Sequence, residues 1–498
     1  MRLRILVLAL AFAAALPAAG ELPPPVVALL RAAGIPEDAM GVMVQRVSDG
    51  KAVLSHHADR SMQPASTLKL VTSLVALDTL GPAFRGRSEL RTRGEVVDGV
   101  LKGDLVLRGE GDVDLDWQAF QRMLRVVRLA GIREVRGDFV LDRSAFSPAR
   151  TDLGVAPFDE APEFRYNVIP DAVLLNTNLV QLDLVSGDRE VRVAMTPTLE
   201  GVTIASGFEL VERACADWED GWVIPEVRDT PKGAIRIRLQ GTFPKRCTAS
   251  TSINVIDRVV FADRLFRAAW RRMGGSFHGR TRDGAPPADT RVLAEHRSRP
   301  LGEIAHDINK DSDNPITRVI YLALGANAAG GEDTPTAQVA ERVVRAWLAG
   351  KGIDAEGLVL ENGSGLSRIE RIRPAQLAAV LKVALASEWA PEFLASLPIV
   401  AVDGGMRQRL RDSSAARRAR IKTGTLRDAS AVAGYLKDAA GDVHVVVAMI
   451  NHELAAKKVA RPILDALLEW VAASGDGAGL LKSEGKGDTG RAESIGVR

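Results

Sequence analysis

Residues 41–56 carry two short apolar runs, Val42-Met43-Val44 and Ala52-Val53-Leu54, on either side of the turn Ser48-Asp49-Gly50, which predicts two short strands. From about Ser66 to Leu80 the apolar residues fall on nearly every side of a helix (Leu68, Leu70, Val71, Leu74, Val75, Leu77), so that helix should be buried. Between about Gly86 and Pro300 the rhythm shortens. Runs such as Asp104-Leu105-Val106-Leu107-Arg108 and Ile235-Arg236-Ile237-Arg238-Leu239 lie between Gly, Asp and Pro breaks, predicting a β-rich stretch with helices near 117–131 and 257–273. Residues 301–350 and 374–388 return to helix, and 421–425, 429–436 and 443–450 read as three strands joined by turns. A helix near 456–473 follows, with Val459, Ile463, Leu467 and Val471 on one stripe. Residues 474–498 are rich in Gly, Ser and charge and predict a mobile tail. There is no internal repeat. One α+β domain interrupted by an insertion of about two hundred residues is the economical reading of this order.

Composition narrows the class. The chain has 498 residues, 46% hydrophobic and 26% charged, which excludes a disordered chain, a collagen and a multi-span membrane protein. Its formal charge of +2 comes from Arg2 and Arg4; the remainder carries 63 basic and 63 acidic groups. A neutral chain exerts no global pull on nucleic acid or anionic lipid. The first twenty residues predict an export signal. Arg2 and Arg4 precede an apolar run over 5–16, and Pro17 with Ala18-Ala19-Gly20 supplies small residues for cleavage near Gly20. The run falls short of the ~18 apolar residues that a membrane span needs.

Export would give the two cysteines a meaning. Cys215 and Cys247 are 32 positions apart. In an oxidising compartment one pair points to one disulfide, worth ~3–4 kcal/mol for a loop of that size; the alternative is two buried free thiols. Neither has a second Cys or a His at ligand spacing, so no metal site is read here.

Three short motifs carry candidate chemistry: Ser66-Thr67-Leu68-Lys69, Ser312-Asp313-Asn314 and Lys422-Thr423-Gly424-Thr425. S-x-x-K also occurs at Ser48…Lys51 and Ser483…Lys486, but there it lies in a polar turn and in the tail. At Ser66 it opens a buried helix. Positions i and i+3 share a helix face, so the Lys69 amine can reach the Ser66 hydroxyl, and a desolvated lysine loses basicity. The bland alternative is a capping serine and a lysine that snorkels to water. Ser312-Asp313-Asn314 precedes an apolar helix and equally suits a capping turn. Lys422-Thr423-Gly424 falls in a strand-like run. Glycine there lets another backbone approach closely, and the Lys and Thr groups could hold a carboxylate; an edge strand protected by charge is the alternative.

Taken together, the triplet S-x-x-K, S-D-N and K-T-G is the mark of penicillin-binding proteins and serine β-lactamases. The chain resembles the serine D-Ala-D-Ala carboxypeptidase/endopeptidase family, the class C low-molecular-mass penicillin-binding proteins. The 246 residues from Ser66 to Ser312 exceed the gap of class A β-lactamases. Gly103-Asp104-Leu105-Val106-Leu107-Arg108-Gly109, Tyr166-Asn167 and Asn362-Gly363-Ser364-Gly365-Leu366-Ser367-Arg368 extend the likeness, although the family more usually has Asp where Asn362 stands.

The resemblance implies a transpeptidase-like domain, an antiparallel sheet flanked by helices, built from 21–85 and 301–473, with a β-rich insertion at 86–300. It implies Ser66 as nucleophile and Lys69 as its base. Ser312 would relay a proton, and Asn314, Lys422, Thr423, Gly424 and Thr425 would hold substrate. No metal or organic cofactor is required. The expected partners are peptidoglycan stem peptides and β-lactams, not nucleic acid, and the expected compartment is the periplasm. The same motifs leave a β-lactamase, or a non-catalytic cell-wall-binding protein, as alternatives. Other hydrolase readings lack their signatures: there is no G-x-S-x-G and no H-E-x-x-H. Asp112-Val113-Asp114-Leu115-Asp116 lacks the Gly and Glu of a calcium loop, since Trp117 and Met123 stand there.

Overall fold

The computed structural model describes residues 20–475 apart from 156–160, 232, 286, 288 and 329–333. The expected leader and most of the expected tail lie outside the described residues. No described helix is long and apolar enough to cross a membrane.

The predicted strand pairs meet in one antiparallel sheet. Its order is Ala419–Leu426, Ala429–Lys437, Val443–Asn451, Met40–Arg46, Ala52–His56. The last long strand of the chain therefore pairs with the first, in the register Val44↔Val446. The central strands are buried on both faces, so they read as near-continuous apolar runs. One face packs on the helices Lys69–Leu80, Leu301–Asn309, Asn314–Ala328, Thr336–Gly350 and Pro374–Ala386. Leu68, Leu70, Val71, Leu74, Val75 and Leu77 are all fully enclosed there, as the all-round apolar pattern requires. The other face packs on Pro24–Ala32 and Lys457–Ala473. In the latter helix Ile463, Leu467 and Val471 are buried with Leu464 and Leu468, but Val459 is exposed. Its stripe begins one turn later than expected, close to Pro462.

A second core draws on residues from Leu90 to Ala294. Around it lie four further sheets, of three to five strands, and the helices Trp117–Leu129 and Arg258–Arg272. Alternation holds at Ile235–Pro244, where Ile235, Ile237 and Leu239 are buried and Arg236 and Arg238 exposed. It fails at Leu105–Glu110. Leu105, Val106 and Leu107 are all buried, because this strand is interior to its sheet, between Arg87–Thr92 and a parallel partner, Phe139–Asp142.

Cys215 and Cys247 form a disulfide with Cα atoms 5.2 Å apart. It ties the short helical segment Cys215–Gly221 to the start of the strand Thr248–Ile253. Opening a 32-residue separation releases loop entropy in the unfolded chain, so the double variant Cys215→Ser/Cys247→Ser should be less stable by ~3–4 kcal/mol. Denaturant unfolding measures it; an unchanged midpoint would show the bond contributes nothing.

Candidate active site

Ser66 does not begin an α-helix. It sits in the tight 3-10 turn Ala65–Leu68, which runs into the helix Lys69–Leu80. No side chain caps that helix, so Ser66 is not spent as a cap. Ala65, just before it, takes φ 46°, a left-handed conformation that a non-glycine residue adopts only when its surroundings impose it. Two glycines show what imposes it. A Cβ on Gly365 would lie 1.8 Å from the Ala65 carbonyl oxygen, and a Cβ on Gly424 would lie 2.8 Å from the Ser66 nitrogen. Two backbones thus press on this turn from two sides, and the glycine of Lys422-Thr423-Gly424 is there for close approach.

Lys69 is fully enclosed. Its Nζ lies 3.0 Å from Ser66 Oγ, 2.5 Å from Asn314 Oδ1 and 2.6 Å from the Ser364 carbonyl. Burial, reinforced by the neighbouring charge of Lys422, holds its pKa well below the ordinary lysine value. The partners dictate how an uncharged amine would sit. Asn314 Oδ1 and the Ser364 carbonyl can only accept, so they take its two N–H groups; the Ser66 hydroxyl can donate. The nitrogen lone pair is left facing the serine proton, which is the geometry of a base beside a hydroxyl.

The second motif serves two purposes. Asp313 Oδ1 accepts from the Ile316 N–H at 2.8 Å and caps the helix Asn314–Ala328, as a capping turn should. Its Oδ2 takes Arg165 at 2.8 Å. Ser312 and Asn314 face the other way. Asn314 donates to the Tyr166 carbonyl at 2.9 Å while accepting from Lys69. Ser312, at φ 60°, accepts from Lys422 Nζ at 2.8 Å. Lys422 also donates to the Thr423 carbonyl at 2.7 Å, and burial lowers its pKa to about 7. It lies on the sheet's edge strand, Ala419–Leu426, on which Lys422 and Gly424 alternate with Thr423 and Thr425. Thr425 is exposed. A cavity of about 510 Å³, lined by Tyr166, Ser312 and Asn314, opens beside this cluster.

Three contributors escape a reading of the motifs. Tyr166 and Ser364 stand in segments that extend the family likeness, but their carbonyls act through backbone, so the side-chain pattern does not show what they do. Glu370 is fully buried, and burial raises its pKa. Its carboxyl accepts from the backbone N–H groups of Glu361, Asn362 and Gly363 at 3.2, 3.0 and 2.8 Å and of Gly365 at 2.9 Å. It thereby fixes the turn that presents the Ser364 carbonyl to Lys69. At position 362, where the resemblance leads one to expect Asp, Asn362 Oδ1 accepts from the Ser364 backbone and hydroxyl.

The profile of the D-Ala-D-Ala carboxypeptidase 3 (S13) family matches residues 26–473. The chain belongs to that family. The D-alanyl-D-alanine carboxypeptidase of Actinomadura sp. (strain R39) is 28% identical over 437 residues, covering 83% of this chain and 78% of the relative. The D-alanyl-D-alanine carboxypeptidase DacB of Haemophilus influenzae is 25% identical over 423 residues, covering 84% of this chain and 86% of the relative. The crystal structure of penicillin binding protein 4 (dacB) from Haemophilus influenzae shares the fold, with a TM-score of 0.74 over 90% of this chain and 99% of that one at 23% identity. A second structure of that protein holds a β-lactam and superposes with a TM-score of 0.69 at 22% identity. Family membership makes the chain a serine-type D-Ala-D-Ala carboxypeptidase, a hydrolase with a transpeptidase-like domain and an inserted region.

Proposed function

We propose that this enzyme removes terminal D-alanine from peptidoglycan stem peptides and opens D-Ala cross-links between them, through an acyl-enzyme on Ser66. The observation that carries the reading is the enclosure of Lys69 by two acceptor-only groups and one hydroxyl. The uncharged Lys69 takes the Ser66 proton as Oγ attacks the carbonyl carbon of the D-Ala-D-X bond. The backbone N–H groups of Ser66 and Thr425 receive the developing oxyanion, a contribution of ~3–4 kcal/mol per donor in other hydrolases. Ser312, beside Lys422, relays to the leaving amine the proton that Lys69 took from Ser66 as the C–N bond breaks, so Lys69 ends the step uncharged. Water then attacks the ester carbonyl, the uncharged Lys69 takes its proton and returns it to Ser66 Oγ as the acyl C–O bond breaks, and Ser66 is regenerated. Asn314 orients both Lys69 and the substrate peptide. Lys422, Thr423 and Thr425 hold the terminal carboxylate, and Gly424 lets the strand lie against the Ser66 turn. β-Lactams acylate the same serine. Residues 86–300 form the inserted unit, and the protein works in the compartment of the cell wall after loss of its leader.

Intact-protein mass spectrometry after exposure to benzylpenicillin, followed by peptide mapping, tests this. One adduct of the antibiotic's mass is expected on the peptide carrying Ser66, lasting minutes or longer, and none on Ser66→Ala. An adduct elsewhere would refute the assignment of the serine. Turnover within seconds would make the chain a β-lactamase, which shares the acylation step.

A further inference from the structure

A second sizeable cavity lies in the inserted region, away from the triplet. It measures about 530 Å³ and is walled by the helix Trp117–Leu129, the strand Arg291–Arg297 and the segment Leu175–Asn178. It adjoins the cavity beside Ser312: Arg165 and Ser252 line both. Arg165 is anchored at that boundary by Asp313, the residue between Ser312 and Asn314.

The charges around this cavity are unevenly committed. Asp114 is taken by Arg299, through Nε at 3.0 Å and Nη2 at 2.9 Å. Asp116 caps its helix, accepting from the Ala119 N–H at 2.6 Å. Arg299 is further held by Asp307 at 2.6 Å, and Arg297 by Glu295. Arg122 has no ion pair and no hydrogen bond among the described residues, and it is exposed on the cavity side of its helix. Near it stands His296, whose Nδ1 lies 2.6 Å from the buried Asp112; that bond raises the imidazole pKa. The indole nitrogen of Trp117, at the first position of the same helix and lining the same cavity, is likewise without a partner among the described residues, while its ring packs partly against the second core. Arg122 is therefore a cation without a counter-ion on this wall, and Trp117 offers a spare indole N–H from the same helix. The adjoining wall, where Asn176 Oδ1 accepts from the Trp117 backbone N–H at 3.1 Å, is backbone held under strain. Asn176, Thr177 and Asn178 run through φ 51, 52 and 55°, and for a β-branched threonine this is a conformation that only a rigid surround maintains.

We propose that this cavity is a subsite for a carboxylate-bearing part of the peptide substrate, remote from the scissile bond, with Arg122 pairing the carboxylate and Trp117 covering the adjoining peptide plane. The inference rests on the peptidase reading above. It gives the inserted region a part in choosing between short and cross-linked substrates, since a peptide must extend past Arg165 and Ser252, from the cavity beside Ser312 into this one, to meet Arg122.

The test compares the wild-type enzyme with Arg122→Glu on three substrates: a cross-linked muropeptide dimer with free carboxylates, the same dimer with those carboxylates amidated, and a short N-acyl-D-Ala-D-Ala. The wild type should show a lower KM for the acid dimer than for the amidated one. Arg122→Glu should raise KM for the acid dimer about tenfold, by replacing attraction with repulsion, and should abolish or reverse the preference. Its kcat/KM on the short peptide should stay within twofold, which also certifies folding. An unchanged acid-to-amide ratio overturns the subsite while leaving the peptidase reading intact. A wild-type enzyme that hydrolyses none of the three overturns both.

Discussion

Replacing Lys69 by methionine should slow acylation by benzylpenicillin about 10³-fold, the range that loss of a positioned general base produces. Methionine nearly matches the volume of the lysine, so the helix Lys69–Leu80 keeps its packing. What disappears is the nitrogen 3.0 Å from Ser66 Oγ. Two opposing effects act on stability. The Asn314 and Ser364 carbonyls lose their donor, at ~1–3 kcal/mol each if left dry, while an enclosed amine that resists charging is removed. The variant should therefore remain folded, and near-ultraviolet circular dichroism would verify it. Wild-type acylation should fall as pH drops through the depressed pKa of Lys69, because the protonated amine has no lone pair. The residual rate of Lys69→Met should lack that limb. A variant that acylates at the wild-type rate would remove Lys69 from the chemistry.

Lys422→Met should lower kcat/KM for a D-Ala-D-Ala peptide about 10²–10³-fold, the cost of truncating one partner of an enclosed charge pair. The pH dependence should identify the group. Lys422 in the free enzyme loses its proton near pH 7, where burial has brought its pKa. Charge for the substrate carboxylate is present below that pH and lost above it, so kcat/KM should decline through about pH 7 on the alkaline side. A bound carboxylate favours the charged form, so the matching limb of kcat should lie higher. Stability should move the opposite way. The unfolded lysine holds its proton up to its ordinary value of 10.5, and the folded one releases it near 7, so folding becomes more favourable as pH rises between them. Lys422→Met should lack this rise. An alkaline limb that persisted in the variant would assign it to another group.

Sequence alone located the elements around the site well, because their signals are local. The enclosed helix after Ser66 is apolar on nearly every side, although its α-helical part begins three residues later, at Lys69, and the strands 429–436 and 443–450 are apolar runs bounded by turns, each within a residue of its expected bounds. Motif context favours Ser66 over Ser48 and over Ser483, which lies outside the described residues. Contributions that depend on distant backbone were invisible. Nothing in the residue order shows that the Ser364 carbonyl turns to Lys69, or that Glu370 gathers four backbone N–H groups to hold it there. The strain at Ala65 is of the same kind, since it arises from Gly365 and Gly424, hundreds of positions away. Burial of Val106 on a strand that seemed to alternate depended on neighbours that the local pattern does not contain.

The register that sets Val44 beside Val446 governs how the polypeptide can mature. The hairpin at residues 40–56 waits for nearly the whole of synthesis before its permanent neighbour exists, and closing so long a loop is slow. The inserted region, complete far earlier, is free to settle first. A chain truncated before residue 443 would thus hold finished outer sheets beside an unfinished catalytic half, its strand edges open to self-association. Such a fragment should aggregate or be degraded, and no partial product should retain activity.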